Sequence, residues 1–353
     1  MAKQRERGWP PDPEPLPVPV VDNHTHLDSI PHVLPDPRGP RESPQRSEDD
    51  SWGWGDVPAP TVTDHLARAA AAGVDRVVQV GCDLPSARWT DALLRGDQTV
   101  WGVEQADPAR PGAGTSHDHL VGRGGTGVGR VLGAVAIHPN EAVLHGGVRE
   151  VGPDGLAPDP RPHHDVPLDD AVAEIAAIAR ANDRVRAIGE TGMDLFRTGP
   201  QGEAVQREAF RAHVALAKEL GLALQIHDRD AHAQVLDVLA RDGAPERTVF
   251  HCYSGDAAMA RFCAEQGWYL SFAGPVTFRA NDELRAALRE VPLGQVLVET
   301  DAPYLTPHPY RGRPNAPYVL PTTVRTVAEV VGLPLADVCA RLAATSVAVY
   351  GPW

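Results

Sequence analysis

Two histidines one residue apart, His24 and His26, stand at the end of the apolar run Val18–Val21. On a β-strand, residues i and i+2 face the same side. This H-x-H pair can therefore offer two imidazoles to one metal ion. Other apolar runs in the chain also finish in metal-capable residues: Glu190, His227, His251, and Glu299 with Asp301. Gathered at one place, such groups are costly to bury without cations or mutual pairing. Four imidazoles and two carboxylates exceed what one tetrahedral ion needs. They suit two ions about 3.5–4 Å apart that share a carboxylate. Glu190 falls between the two groups in strand order and is the natural bridge. His24, His26 and Asp301 would then hold one ion, and His227 and His251 the other. Nitrogen and oxygen ligation without thiolate fits Zn, Mn, Fe, Co or Ni; Mg, which prefers oxygen, is less comfortable with four imidazoles.

These residues can meet only if their strands end at a common rim. Eight short apolar runs are candidates: Val18–His26, Val74–Val80, Val131–Ile137, Val185–Glu190, Leu222–His227, Thr248–His251, Trp268–Phe272 and Val296–Thr300. They are rich in Val, Ile and Leu without period-2 alternation, as parallel strands buried on both faces should be. Helical spacing appears between them at Thr63–Ala72, Leu168–Ala181, Gln201–Leu220, Ala231–Arg241, Asp256–Gln266, Asn281–Arg289 and Leu320–Val331. Repeated β–α units predict a (β/α)8 TIM barrel of class α/β, with a doubly wound open sheet as the alternative. In a barrel, the C-terminal strand ends carry the chemistry.

Residues 1–17 are expected to form a flexible N-terminal tail and 18–353 a single barrel domain. Three stretches interrupt the β–α pattern: 35–60, 104–130 and 145–167, rich in Pro, Gly and polar residues. They are expected to be surface loops or partly disordered insertions. His117, His119, His163 and His164 fall inside them and are treated as background. The chain has 353 residues and a net charge of −14, which argues against coating nucleic acid by bulk electrostatics. A metal-bearing enzyme acting on phosphates is still compatible, because bound cations dominate the local charge. Four cysteines without C-x-x-C spacing suggest reduced thiols. The Pro-rich start lacks a signal-peptide core and no apolar run is long enough to span a membrane, so a cytoplasmic location and no membrane partner are expected.

The chain resembles the TatD-type metal-dependent DNase family of the amidohydrolase superfamily. The resembling segments are VDNHTHLD (21–28), AIHPN (136–140), IGETGMD (188–194), QIHDRDAH (225–232), FHCYSG (250–255), SFAGPVTF (271–278), ETDAPYL (299–305) and RGRPNAP (311–317). The resemblance implies the ligand set His24, His26, Glu190, His227, His251 and Asp301, two divalent metal ions, and hydrolysis of DNA phosphodiesters, often exonucleolytic. Pro314, Ala316 and Asp228 depart from the family pattern and are expected to bear on the substrate rim. Asp301 and Glu190 are the expected catalytic groups, Asp301 accepting a proton from the attacking water. His138, Arg229 and Tyr253 are candidates for contacting DNA, through a hydrogen bond, a phosphate fork and base stacking. Single strands or ends are the expected substrate, and no obligate protein partner is evident. One alternative is a superfamily hydrolase acting on a small ester, amide or phosphotriester. Many such enzymes bridge their metals with a carbamylated Lys, and the strand here ends in Glu190 instead. A metal-stabilised, non-catalytic quality-control partner is the second alternative.

Overall fold

The computed structural model describes residues 8–30, 60–102 and 127–353. Most of the stretches 35–60 and 104–130, with His117 and His119, lies outside them. Eight parallel strands pair in chain order: β1 (Val20–Thr25), β2 (Val74–Gly81), β3 (Val131–Val135), β4 (Val185–Asp194), β5 (Ala223–Arg229), β6 (Thr248–Phe250), β7 (Tyr269–Phe272) and β8 (Val296–Val298). The helices between and after them are α1 (Val62–Ala71), α2 (Leu84–Leu94), α3 (Gln98–Trp101), α4 (Pro139–His145), α5 (Leu168–Ala181), α6 (Pro200–Leu220), α7 (His232–Asp242), α8 (Ala257–Glu265), α9 (Asp282–Arg289), α10 (Leu320–Val331) and α11 (Leu335–Tyr350). This is the TIM barrel that the sequence predicts, not the open sheet.

Closure runs between the first and last strands. The Asn23 amide donates to the Val298 carbonyl at 2.7 Å, and the Thr300 N–H to the Asp22 carboxylate at 2.9 Å. Beyond the strand ends, the Asp301 N–H donates to the His24 carbonyl (2.9 Å) and the His26 N–H to the Ala302 carbonyl (2.8 Å). The seam therefore fixes the relative positions of the H-x-H pair and Asp301.

Local sequence explains the helix ends. Thr61 and Asp64 cap α1 reciprocally, as Asp83 and Ser86 cap α2. Helix α6 stops at Gly221 in the left-handed conformation. Helices α2, α3, α4 and α11 are not among the sequence-predicted ones. Two of them, α2 and α4, open on a Pro that reads as a breaker but is tolerated in the first turn. The last, α11, carries the β-branched Thr345, Val347 and Val349 in its final turns.

Two buried layers hold the barrel. Helix faces cover its outside, with Phe210, Val214 and Ala217 of α6 among the fully buried residues there. Inside, Val78, Val80, Leu132, Ala134, Ala187, Ala223, Val249 and Leu297 meet Val349 and Tyr350 from the end of α11. The Tyr350 hydroxyl accepts a hydrogen bond from Gln225 at 2.8 Å. Arg247, just before β6, donates to the Val349 carbonyl, which places this plug at the N-terminal mouth, opposite the predicted site.

Residues 8–17, read from the sequence as part of a flexible tail, lie against the barrel. The Leu16 N–H donates to the Ala72 carbonyl at 3.1 Å, and Leu16 is buried. The Pro10 carbonyl accepts from the Tyr318 hydroxyl at 2.6 Å, and Arg68 stacks over the same Tyr318 ring. Ordered packing thus begins before Val18. The stretch 145–167 is likewise built into the fold, around a 3-10 turn at Pro162–Asp165. Among the described residues, no single helix is long and apolar enough to cross a membrane.

Phe210 is fully buried between helix and sheet. Phe210→Ala should lower the unfolding free energy by about 3–5 kcal/mol, measured by urea denaturation.

Candidate metal centre

The six residues expected to be ligands meet at the C-terminal rim. His24 Nε2 lies 3.3 Å from His26 Nε2, 3.8 Å from Glu190 Oε2 and 3.7 Å from Asp301 Oδ1. His26 Nε2 is 3.4 Å from the same Asp301 oxygen. On the other side, His227 Nδ1 is 3.4 Å from both Glu190 Oε2 and His251 Nε2. His251 Nε2 contacts that Glu190 oxygen directly. The Glu190 carboxylate therefore stands between a His24/His26/Asp301 group and a His227/His251 group, as the strand order suggests.

Tautomers can be read from the outer hydrogen bonds. His26 Nδ1 faces the Val80 carbonyl at 3.0 Å, so it carries the proton and Nε2 is left as a lone pair. His251 Nδ1 faces Glu299 Oε1 at 3.2 Å, with the same result. His227 is turned the other way: Nε2 donates to Asp194 Oδ2 at 3.3 Å and Nδ1 is directed inward. Three imidazole lone pairs and two carboxylates thus converge at 3.3–3.8 Å, apart from the closer contact of His251 Nε2 with Glu190. Electron-rich atoms this close repel unless cations or protons lie between them. Ligand atoms around an ion with bonds of about 2.0–2.2 Å are spaced about this far apart. The donor set therefore fits divalent metal.

The electrostatics agree. Burial alone would push the Glu190 carboxyl up, but the surrounding His251 and His138 hold it well below the usual carboxylate range. Burial opposes charge on His227 as well, yet Asp194 and Glu190 carry its pKa up to about 9. His24, buried and beside His251, is pushed down. Metal binding must displace protons from such a cluster.

Three substrate-contact expectations fare differently. His138 follows β3 and caps α4; its Nδ1 accepts the Asn140 N–H at 3.1 Å, so Nε2–H faces Glu190 Oε1, 3.6 Å away. Burial holds this ring down to about 3, keeping it a neutral donor. Arg229 is exposed at the end of β5, with its guanidinium 3.9 Å from the Phe196 ring centroid and no ion pair to Asp228 or Asp230 among the described residues. Tyr253 is corrected: it is only 4% exposed, packs on Phe272, and spends its hydroxyl on the Asp256 carbonyl at 2.8 Å. It cannot stack on a base. The aromatic presented at the rim is Tyr304, 55% exposed, with its ring 6.0 Å from that of His26.

The outer shell went unassigned in the sequence. Asp194 orients His227 and is itself held by Asn140 and by the Gln206 side chain, which accepts the Asp194 N–H. Glu299 orients His251 and accepts the Cys252 N–H at 2.7 Å. The Cys82 thiol lies 3.3 Å from Glu190 Oε1. Strand β4 continues four residues past Glu190 because Gly192, at positive φ, allows close approach to the His227 carbonyl; this brings Asp194 beside β5. The two departures at Pro314 and Ala316 are buried rather than on the rim. Between them, the Asn315 amide bridges the Thr300 and Tyr304 carbonyls and so braces the Asp301 loop. Asp228 is tied to His232 at 2.8 Å.

A barrel with these convergent imidazoles and carboxylates has the form of a metal-dependent hydrolase. The sequence model of the family described as TatD related DNase matches residues 21–351, and the chain belongs to that family. It is 40% identical over 316 residues to an uncharacterized metal-dependent hydrolase, TatD, of Mycobacterium tuberculosis, covering 88% of this chain and 90% of the relative. Among solved structures, a TatD family hydrolase from Entamoeba histolytica superimposes with a TM-score of 0.66 at 14% identity, covering 96% of this chain and all of that one. The YjjV TatD homolog of Escherichia coli K12 gives 0.61 at 20% identity, covering 81% of this chain and 90% of that one. These two likenesses bear on the fold.

His213 of α6 links the site to its scaffold. Its Nε2 accepts the Ile137 N–H at 3.2 Å, next to His138, and its Nδ1 donates to the Ala209 carbonyl at 2.8 Å, 3.1 Å from Thr191 Oγ1 and next to Glu190. Burial holds its pKa down to about 4, below the usual 6.5. Below pH 6.5 the unfolded chain takes up a proton that the folded ring refuses, so stability falls as pH drops from 6.5 to about 4. This group alone should remove on the order of 3 kcal/mol across that window. His213→Gln should flatten the loss by a similar amount, read from urea unfolding of metal-free protein at a series of pH values.

Proposed function

We propose that this protein is a deoxyribonuclease hydrolysing DNA phosphodiesters at single strands or ends, probing them exonucleolytically. The observation that carries the reading is the Glu190 carboxylate between two imidazole groups, with Asp301 beside one of them, in a chain of this family. Divalent cations held there would neutralise a phosphodiester and lower the pKa of a water toward neutrality. His24, His26 and Asp301 would hold one and His227 and His251 the other, with Glu190 shared. The chain's own residues supply the rest. Asp301, at 3.4 Å from His26, can take the proton of the attacking water. His138, neutral and with Nε2–H facing the centre, is a donor for a phosphate oxygen. Arg229, exposed beyond β5, offers a fork to a neighbouring phosphate. Tyr304 offers a face on which a terminal base can stack.

The net charge of −14 bears on how DNA would be held. Attraction must come from the loaded centre rather than from a basic groove, so affinity should depend steeply on the cation and weakly on the metal-free protein.

The test is divalent-metal-dependent degradation of end-labelled single-stranded DNA, comparing wild type with Glu190→Ala and Asp301→Asn. Stepwise shortening is expected in the wild type, with a loss of at least about 10²–10⁴-fold in Asp301→Asn. The label that survives gives the polarity. Undiminished turnover in Asp301→Asn would remove it as the base. Absence of cleavage with Mg, Mn, Co and Zn would overturn the nuclease reading in favour of a small ester, amide or phosphotriester.

A further inference from the structure

The described residues hold another group of metal-capable side chains apart from the centre: Glu141, His163 and His164. Glu141 is in the first turn of α4, and the two imidazoles come from the 3-10 turn at Pro162–Asp165. His164 Nε2 and His163 Nε2 lie 2.6 Å and 3.2 Å from the same oxygen, Glu141 Oε2. Asp83, the cap of α2, brings its Oδ2 to 4.0 Å from His163 Nε2. His145, at the end of α4, places its ring 6.0 Å from that of His163 and 5.0 Å from that of His164. Ring pairs in the main centre are similarly spaced, at 5.0 Å for His24/His26 and 5.6 Å for His227/His251.

Counting protons separates the roles. The Arg161 N–H donates to His164 Nδ1 at 2.7 Å, so the neutral ring carries its proton on Nε2 and donates it to Glu141. His164 therefore steadies the carboxylate. His145 is the opposite case. Its Nδ1 donates to the Val166 carbonyl at 2.7 Å, which leaves Nε2 as a lone pair. That atom is buried and has no hydrogen-bond partner. Buried acceptors are seldom left so, and each one calls for an explanation. Asp83 spends Oδ1 on the Ser86 N–H at 2.7 Å, and Oδ2 is the oxygen turned toward His163.

We propose that His145, His163 and Glu141, completed by Asp83 and oriented by His164, form a separate site for one divalent transition-metal cation. Two imidazoles and two carboxylates without thiolate suit Zn, Co, Ni or Mn better than Mg. The 3.2 Å between His163 Nε2 and Glu141 Oε2 matches the edge of a tetrahedron with bonds of about 2.0 Å, close to 3.3 Å. Asp83 Oδ2, 4.0 Å from His163 Nε2, is the carboxylate oxygen turned toward this edge. Carboxylates that ligate such ions are themselves hydrogen-bonded, as Glu141 is by His164. The site would tie the 145–167 stretch to two elements that also reach the main centre. Glu141 follows His138 by three residues, and Asp83 follows Cys82 by one. The proposal does not rest on the nuclease reading.

The experiment is a Co²⁺ titration of demetallated full-length protein, followed by visible d–d absorption, with bound metal counted by elemental analysis. It is done in a His24→Ala/Glu190→Ala/His227→Ala background that disables the main centre. One equivalent should still bind with nitrogen–oxygen d–d bands. Adding His163→Gln, or separately Glu141→Gln, should weaken that equivalent at least about 100-fold, while circular dichroism reports the fold intact. No tight equivalent in the folded background, or an equivalent unaffected by both substitutions, would overturn the proposal. Nuclease assays on His163→Gln with its main centre intact keep this outcome distinct from failure of the functional reading.

Discussion

The buried carboxylate of Glu190 is the constraint around which the site is arranged. A charge taken out of water needs compensation from every side. Here it faces His24, His138, His227 and His251 from four different strand ends. Three of those rings are in turn fixed by something behind them. Asp194 stands behind His227, Glu299 behind His251, and the Asn140 N–H behind His138. The order of dependence runs outward from one acid to a ring of imidazoles, and then to a shell of carboxylates and backbone groups. That outer shell lies in the barrel wall, so the centre is only as rigid as the barrel itself.

Much of this was legible in the sequence for a simple reason. Parallel strands buried on both faces are uniformly apolar, so a polar residue at the end of such a run stands out. His24, His26, Glu190, His227, His251 and Asp301 were found in that way. Asp194 was harder to see, because it lies four residues beyond Glu190 and reaches the site only through the extension of β4 past Gly192. Tyr253 was misjudged because adjacency to His251 says nothing about direction once the chain leaves the strand. Cys252 there has φ of +41°, and strand alternation no longer applies. Tyr304 carried no signal at all: an aromatic in a loop reads as core until its exposure is known.

The stretch 145–167 shows the limit of composition as a guide. Its Pro, Gly and Asp content reads as loop, and loop it largely is. Yet His163 and His164 are brought onto one acidic residue, and beside the ring of His145, by a single short turn. Histidines scattered in sequence carry no spacing signature when the segment between them is irregular. The same reasoning explains the buried departures at Pro314 and Ala316. Position in a motif suggested proximity to substrate, but Asn315 between them is spent entirely on backbone groups, donating to the Thr300 and Tyr304 carbonyls and accepting the Ala316 N–H.

The seam between β1 and β8 has a consequence for how the chain matures. Asn23 and Val298 are 275 positions apart, yet they are hydrogen-bonded neighbours in the finished wall. Synthesis delivers β1 well before β8, and contacts of such long range are slow to form. The H-x-H pair therefore emerges from the ribosome long before Asp301 exists to complete its group. Until closure, the His24/His26 pair lacks its carboxylate from Asp301; afterwards that group is complete. Free energy from a cation held by the His24/His26/Asp301 group would thus be gained only with the seam, and would favour the closed wall.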